Sequence, residues 1–155
     1  MVTLRPMTED EFAALKAELY TSYPEERARA TGGGVATEEE IEAGRRQVDE
    51  LMAEGLQSTA HHYWKIVAPE VGAVGVLWVM VDDAKHRAFI YFISTDAAYR
   101  GRGYGQQALE ALEAAMRPLG VTQIALNVWG DNHVARRLYE RVGYQPQAIY
   151  MTKDV

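Results

Sequence analysis

Along the first third of the chain, apolar side chains recur every three or four positions. Phe12, Leu15 and Leu19 form one such stripe, and it follows Thr8-Glu9-Asp10-Glu11, whose hydroxyl and carboxylate stand at capping-box spacing. This spacing predicts a helix that stops near Ser22-Tyr23-Pro24, because proline disfavours the helical conformation for the residue before it. Gly32-Gly33-Gly34 marks a loop. Thr37-Glu38-Glu39-Glu40 repeats the capping box, and Ile41, Val48, Leu51 and Met52 line one face of a second helix that ends near Gly55. Residues 2–5, ahead of the first helix, read as a short strand.

The period then changes. Residues 63–67, 74–81 and 88–95 are rich in β-branched and aromatic side chains and are separated by Pro69-Glu70-Val71-Gly72 and Asp82-Asp83-Ala84-Lys85, which predicts an antiparallel meander. Helical spacing returns after Gly103, with Tyr104, Ala108, Leu112, Ala115 and Leu119 as the inner stripe of a helix ending at Pro118-Leu119-Gly120. A strand over 122–128, a helix over 132–142 with Ala135, Leu138 and Val142 inward, and a closing strand over 144–152 complete the pattern. The expected order is β-α-α-β-β-β-α-β-α-β, an α/β (α+β) mixed sheet in one domain spanning 1–155. Its only helical crossover between neighbouring strands lies in the second half.

A chain of 155 residues buries roughly 70% of its unfolded surface, enough for an ordinary core. The absence of cysteine excludes disulfides, cysteine-ligated zinc or iron–sulfur sites, and an acyl-cysteine mechanism. Residues 1–6 carry neither an apolar run nor a basic cluster, and the longest apolar stretch, 71–81, is about half a membrane span, so the expected location is cytoplasmic, with no membrane partner. A formal charge of -6 argues against nucleic acid as a partner. It suits a cationic acceptor and solubility equally.

Gly101, Gly103 and Gly105 alternate with Arg100, Arg102 and Tyr104, after a strand and at the first turn of an amphipathic helix. The first turn of a helix has unpaired N–H groups and a partial positive charge. Glycine lets an anion approach them, and the arginines add charge at the rim. A P-loop would need Lys-Ser or Lys-Thr after its last glycine. A dinucleotide fingerprint would need two residues before its third glycine, where only Tyr104 stands. The segment therefore suits a pyrophosphate, or is simply a glycine-shaped turn.

The run Arg100-Gly101-Arg102-Gly103-Tyr104-Gly105 resembles the Arg/Gln-x-x-Gly-x-Gly/Ala motif of the GNAT family of N-acetyltransferases. The downstream block Leu126-Asn127-Val128, then Asn132-x-x-Ala135-x-x-Leu138-Tyr139-Glu140-x-x-Gly143-Tyr144, is similar to that family's second conserved block. The resemblance implies a fold whose fourth and fifth strands splay apart around the pantetheine arm of acetyl-CoA. It implies that backbone groups of Ile93, Ser94 and Thr95 pair with that arm, that the amides from Gly101 to Gln106 hold the pyrophosphate, that Asn132 contacts the cofactor and that Tyr139 protonates the leaving thiolate. The function implied is acetyl transfer to a primary amine of a small molecule or protein, with a homodimer permitted.

One departure stands out. Many relatives carry a carboxylate on the fourth strand as general base, whereas residues 88–95 here have none. Asp96, Tyr91, His86, His61 and His62 are the candidates, alongside a backbone carbonyl with water or no base at all. The gap also leaves open a module that binds CoA without turnover. Trp64, Trp78 and Trp129 are candidates for an acceptor pocket, or for the core.

Overall fold

The computed structural model describes residues 1–155. Both capping boxes form. Glu11 N donates to Thr8 Oγ1 at 3.2 Å while Thr8 N donates to Glu11 Oε2 at 2.9 Å, and Thr37 and Glu40 repeat the pair at 3.2 and 2.9 Å. They open α1 (Glu9–Ala30) and α2 (Glu38–Leu51). The first helix does not stop near Pro24 as expected but continues for six more residues. Proline removes one donor from the ladder; its ring is buried against Gly44 of α2, and this packing outweighs the lost hydrogen bond. On α2 the inner face runs through Gly44 and Val48 to Met52, whereas Ile41, expected on that face, is 42% exposed.

The sheet is formed by β1 (Thr3–Pro6), β2 (His61–Ala68), β3 (Gly72–Asp82), β4 (Arg87–Thr95) and β5 (Gln123–Leu126), in that spatial order. The first three pairings are antiparallel and β4–β5 is parallel. Parallel pairing needs a crossover, and α3 (Tyr104–Met116) supplies it. The buried seam of α3 is Ala108, Leu109, Leu112 and Met116. Leu119, expected in that seam, is exposed because the chain leaves the α-helix at Met116 for a 3-10 turn over Arg117–Leu119, and Ala115, also expected there, is exposed because the seam runs through Leu112 and Met116 and leaves it on the flank.

Two cores separate the layers. Ile66, Leu77, Val79, Ala88 and Ile90 pack with the α3 seam on one face of the sheet, and Phe12, Leu15, Leu19, Val48, Met52, Tyr63 and Trp78 fill the other face beneath α1 and α2. The alternation along β3, with Leu77 and Val79 to one side and Trp78 to the other, follows from the two-residue period of a strand covered on both faces. After β5 comes α4 (His133–Arg141), whose Leu138 and Val142 pack on the α3 side.

The closing strand expected over 144–152 does not form. The chain after α4 has no secondary structure, and Ile149, Tyr150 and Met151 are 69%, 93% and 83% exposed. A strand needs a neighbour for its N–H and C=O groups, and no strand pairs with this segment. No helix is long and apolar enough to cross a membrane.

Candidate functional site

The site begins with an irregularity in β4. Trp78 pairs with Phe92 but the next residue of β3, Val79, pairs with Ile90, so Tyr91 is an extra residue bulged out of register. Pairing between β4 and β5 ends at the same level, at Ile90 and Leu126. Beyond it, β4 continues through Ile93, Ser94 and Thr95 with no strand on its β5 side, while the chain from Asn127 leaves the sheet. The two strands are paired at one end and separate at the other. A free strand edge of this kind offers hydrogen bonds to an amide-bearing ligand as an added strand would.

At the end of β4 a 3-10 turn, Ala97–Tyr99, leads into the glycine segment. Arg100 Nε donates to the Thr95 carbonyl at 3.1 Å and so braces this segment against the strand. The Arg102 guanidinium lies 5.8 Å from the centre of the Tyr99 ring. Gly101 and Gly103 have φ of +75° and +82°, a left-handed backbone that an L side chain rarely adopts. Gly103 is the N-cap of α3, and no side chain caps the helix. The first amide bound within the protein is that of Gln107, which donates to Gly103 O at 3.1 Å. The amides of residues 101–106 thus have no protein acceptor. Six consecutive free donors at the positive end of a helix form an anion site. The Gln106 side chain is turned to Glu110 at 3.1 Å, so its contribution to that site is its backbone N–H.

Two glycines here are required by close packing. A Cβ on Gly105 would stand 3.0 Å from Leu138 Cδ2, so this glycine admits α4 to the first turn of α3. A Cβ on Gly103, by contrast, would meet nothing nearer than Gln107 Nε2 at 4.0 Å, so the space before its amide is open. Gly75, which sequence reasoning passed over, is tighter still: a Cβ there would lie 2.3 Å from the Ser94 carbonyl oxygen and 3.1 Å from Thr95 Cα. Gly75 therefore lets the open end of β4 sit where it does, and an isolated glycine within a strand pattern was the available signal. Gly75→Ala should cost about 1–3 kcal/mol of stability by displacing the 93–95 edge. Chemical denaturation checks this, and an unaltered midpoint would mean that β3 yields instead.

On α4, Asn132 is the N-cap, its Oδ1 accepting from Ala135 N at 3.2 Å while its Nδ2 donates to no protein group. Tyr139 follows Leu138, the residue touching Gly105, and is half-buried against the α3-side core. Its ring meets that of Tyr144 edge-on with centres 5.9 Å apart. Burial raises the phenol of Tyr139 above its ordinary value of 10.0 and pushes that of Tyr144 up to about 12. Tyr139 therefore keeps its phenolic proton throughout the physiological range.

Of the base candidates, Asp96 alone lines a cavity at the open end of β4. The cavity lies between α1 and the sheet, with Glu11, Glu18, Lys65, Val76 and Ser94 in its wall. Glu11 is ionised there: the Arg5 guanidinium at 2.7 Å, with help from the Thr8 amide, lowers its carboxyl to about 2. His86 sits in the β3–β4 turn at the far end of β4, nine residues from Thr95 and so roughly 30 Å along the strand at about 3.3 Å per residue. His61 Nδ1 accepts from Trp78 Nε1 at 2.9 Å, so neutral His61 carries its proton on Nε2 and has no free lone pair in the ring plane. Burial lowers both His61 and His62 below 6.5, and His62 stacks on Trp64 with centres 5.2 Å apart. Tyr91 stacks on Trp78 with centres 4.7 Å apart. Trp78 is buried core, not a pocket wall.

A profile of the acetyltransferase (GNAT) family matches residues 35–144. The chain is 34% identical over 157 residues to a Bacillus subtilis (strain 168) protein named uncharacterized N-acetyltransferase YycN, covering 99% of each, and 31% identical over 155 residues to YdgE of the same organism, covering 99% of this chain and 98% of that one. The crystal structure of Bacillus subtilis YycN superposes with a TM-score of 0.91 at 32% identity, covering 100% of this chain and 99% of that one. AAC(6')-Iy, solved with the bisubstrate analogue CoA-S-monomethyl-acetylneamine, has the same fold with a TM-score of 0.62 at 15% identity, over 100% and 99% of the two chains.

Proposed function

The chain belongs to the GNAT family of acetyltransferases, and from that premise we propose that it transfers the acetyl group of acetyl-CoA to a primary amine by direct attack on the thioester. The observation that carries the cofactor half is the row of unpartnered amides at 101–106, next to the open edge of β4. Their spacing and polarity fit a pyrophosphate, and the edge at Ile93, Ser94 and Thr95 fits the amides of a pantetheine arm. Arg100 and Arg102 add positive charge at the rim, and the free Nδ2 of Asn132 is available to the arm.

Acetyl-CoA supplies an activated acyl carbon when bound. The acceptor amine enters from the α1 side, through the cavity at the end of β4. Asp96 takes the ammonium proton through water, leaving a neutral nitrogen whose lone pair forms the N–C bond. As the C–S bond breaks, Tyr139 gives its proton to the thiolate, the adduct nitrogen loses its second proton to water, and the tyrosinate is reprotonated from solvent. A phenol kept neutral by burial suits that step, and an acidic cavity suits an acceptor that arrives as a cation.

Release of free CoA thiol, measured across polyamines, aminoglycosides, amino acids and peptide N-termini, tests the reading. Saturable turnover with a cationic amine is expected; tight CoA binding without turnover on any amine would overturn it. Glu18→Gln with Asp96→Asn should raise the KM of a diamine about 10-fold, the equivalent of about 1.4 kcal/mol, while leaving the affinity for CoA unchanged. An unchanged KM would place the acceptor outside this cavity.

A further inference from the structure

On the α1 and α2 side of the sheet the rings of His61, Tyr63, Trp78 and Tyr91 stand together at the level where β4 and β5 part. Trp78 is the residue of β3 at which the register shifts, and Tyr91 is the residue left over by the bulge. A bulged residue is outside the hydrogen-bond ladder, so its place is set by what its side chain touches. For Tyr91 that is the Trp78 ring, stacked at 4.7 Å with planes 21° from parallel, the Phe89 ring edge-on at 5.0 Å, and the His61 ring at 5.7 Å. Trp78 is itself stacked on Tyr63 at 5.5 Å.

The orientation of the indole depends on one hydrogen bond. Trp78 is 3% exposed and its indole N–H can only donate. Its acceptor is His61 Nδ1 at 2.9 Å, and the backbone of His61 is anchored in turn, its N–H donating to Ser58 Oγ at 3.0 Å. The imidazole can accept only while Nδ1 carries no proton. Burial favours that neutral form. The groups around it are Glu54, exposed just after α2, whose charge favours the protonated ring, the adjacent His62, which opposes it, and the rings of Tyr63 and Tyr91. A protonated His61 has two donors and no acceptor. It would lose the indole and be drawn to Glu54, leaving a buried N–H without a partner.

We propose that His61 is a positioning residue for the opening between β4 and β5: while neutral it fixes Trp78, Trp78 fixes Tyr91, and the bulge so held keeps residues 93–95 in place, whereas protonation of His61 releases them. That the opening receives the pantetheine arm of CoA rests on the function proposed above. The direction with pH follows from burial. The folded chain holds the ring below its ordinary 6.5, so the unfolded chain binds the proton first. The contribution of His61 is therefore complete above 6.5 and is lost as pH falls through the lowered value.

NMR of the full chain without ligand tests the coupling. Between about pH 7.5 and about pH 5 the His61 imidazole, the Trp78 indole N–H and the amides of 91–95 should titrate with one midpoint, the indole losing its protection from solvent exchange. His61→Asn places an amide oxygen near the position of Nδ1 and has no proton to gain. In that variant the indole and the 91–95 signals should hold still while His62 continues to titrate. His61→Leu leaves the indole without an acceptor at every pH and should give the low-pH signals of 91–95 at neutral pH. Signals of 91–95 that do not follow His61, or that titrate unaltered in His61→Asn, would overturn the proposal. If the leucine variant does not fold, the asparagine comparison decides. Calorimetry reads the consequence for the cofactor. From about pH 7.5 to about pH 5.5 the dissociation constant of CoA should rise about 10-fold more in the unaltered chain than in His61→Asn, protonation of the cofactor's phosphates being common to both. Equal pH dependence in the two would disconnect His61 from the opening. A chain that binds no CoA at any pH refutes the proposed activity instead, and the NMR comparison then decides the role of His61 alone.

Discussion

Gly103→Glu is expected to eliminate the thermal stabilisation that CoA gives the unaltered protein. A ligand at 100 times its dissociation constant stabilises by about 2.7 kcal/mol, which for a domain of this size raises Tm by roughly 5–10 °C. That shift should vanish. The cause is charge and position together: Gly103 caps α3 with φ of +82°, amid the unpartnered amides of 101–106, and a carboxylate there satisfies donors that would otherwise take up a phosphate. Strain alone gives a different result. Asparagine tolerates the left-handed backbone, so Gly103→Asn should lose part of the affinity and keep a measurable shift. Differential scanning fluorimetry with and without CoA separates the variants, and a full shift in the glutamate variant would remove the pyrophosphate from this turn.

Tyr139→Phe should lower kcat by about 10²-fold or more while CoA binds as before. Phenylalanine keeps the ring that packs on the α3-side core and against Tyr144, so the fold should survive and the loss should fall on the chemical step. The pH profile supplies an independent check. A general acid works while protonated, and burial lifts the Tyr139 phenol above 10.0. The proton supply is therefore intact at neutral pH and is lost only as pH climbs beyond that value, which puts any alkaline limb of kcat above pH 10. Single-turnover kinetics and calorimetry with CoA divide the outcomes: full activity in the variant would leave Tyr139 a packing residue, and lost CoA affinity would make it a binding one.

What was readable in the sequence was local. The capping boxes at Thr8 and Thr37, the alternation of the meander and the run from Arg100 to Gly105 each depend on residues a few positions apart, and each formed as written. The misses lay where a distant partner decides. Pro24 stays in a helix because Gly44 of another helix receives its ring. The bulge at Tyr91, which coincides with the opening of the sheet, has no marker in β4 itself and is visible only in the register against β3. Glu11, Glu18, Lys65 and Asp96 come from separate stretches of chain, so no spacing rule could have grouped them. Residues 144–152 have the composition of a strand, yet no strand of the sheet pairs with them.

The contact between Gly105 and Leu138 has a consequence for how this protein changes over generations. The phosphate turn and the helix bearing Tyr139 are separated by more than thirty residues yet touch with no spare room, a Cβ at position 105 falling 3.0 Å from Leu138 Cδ2. A lineage that gains a methyl at 105 must let Leu138 shift by a few tenths of an ångström, and one that enlarges 138 has nothing left to remove at 105. The turn at 101–105 and α4 therefore change in step, while the cavity between α1 and the sheet, which lies across the sheet from this contact, varies independently of them.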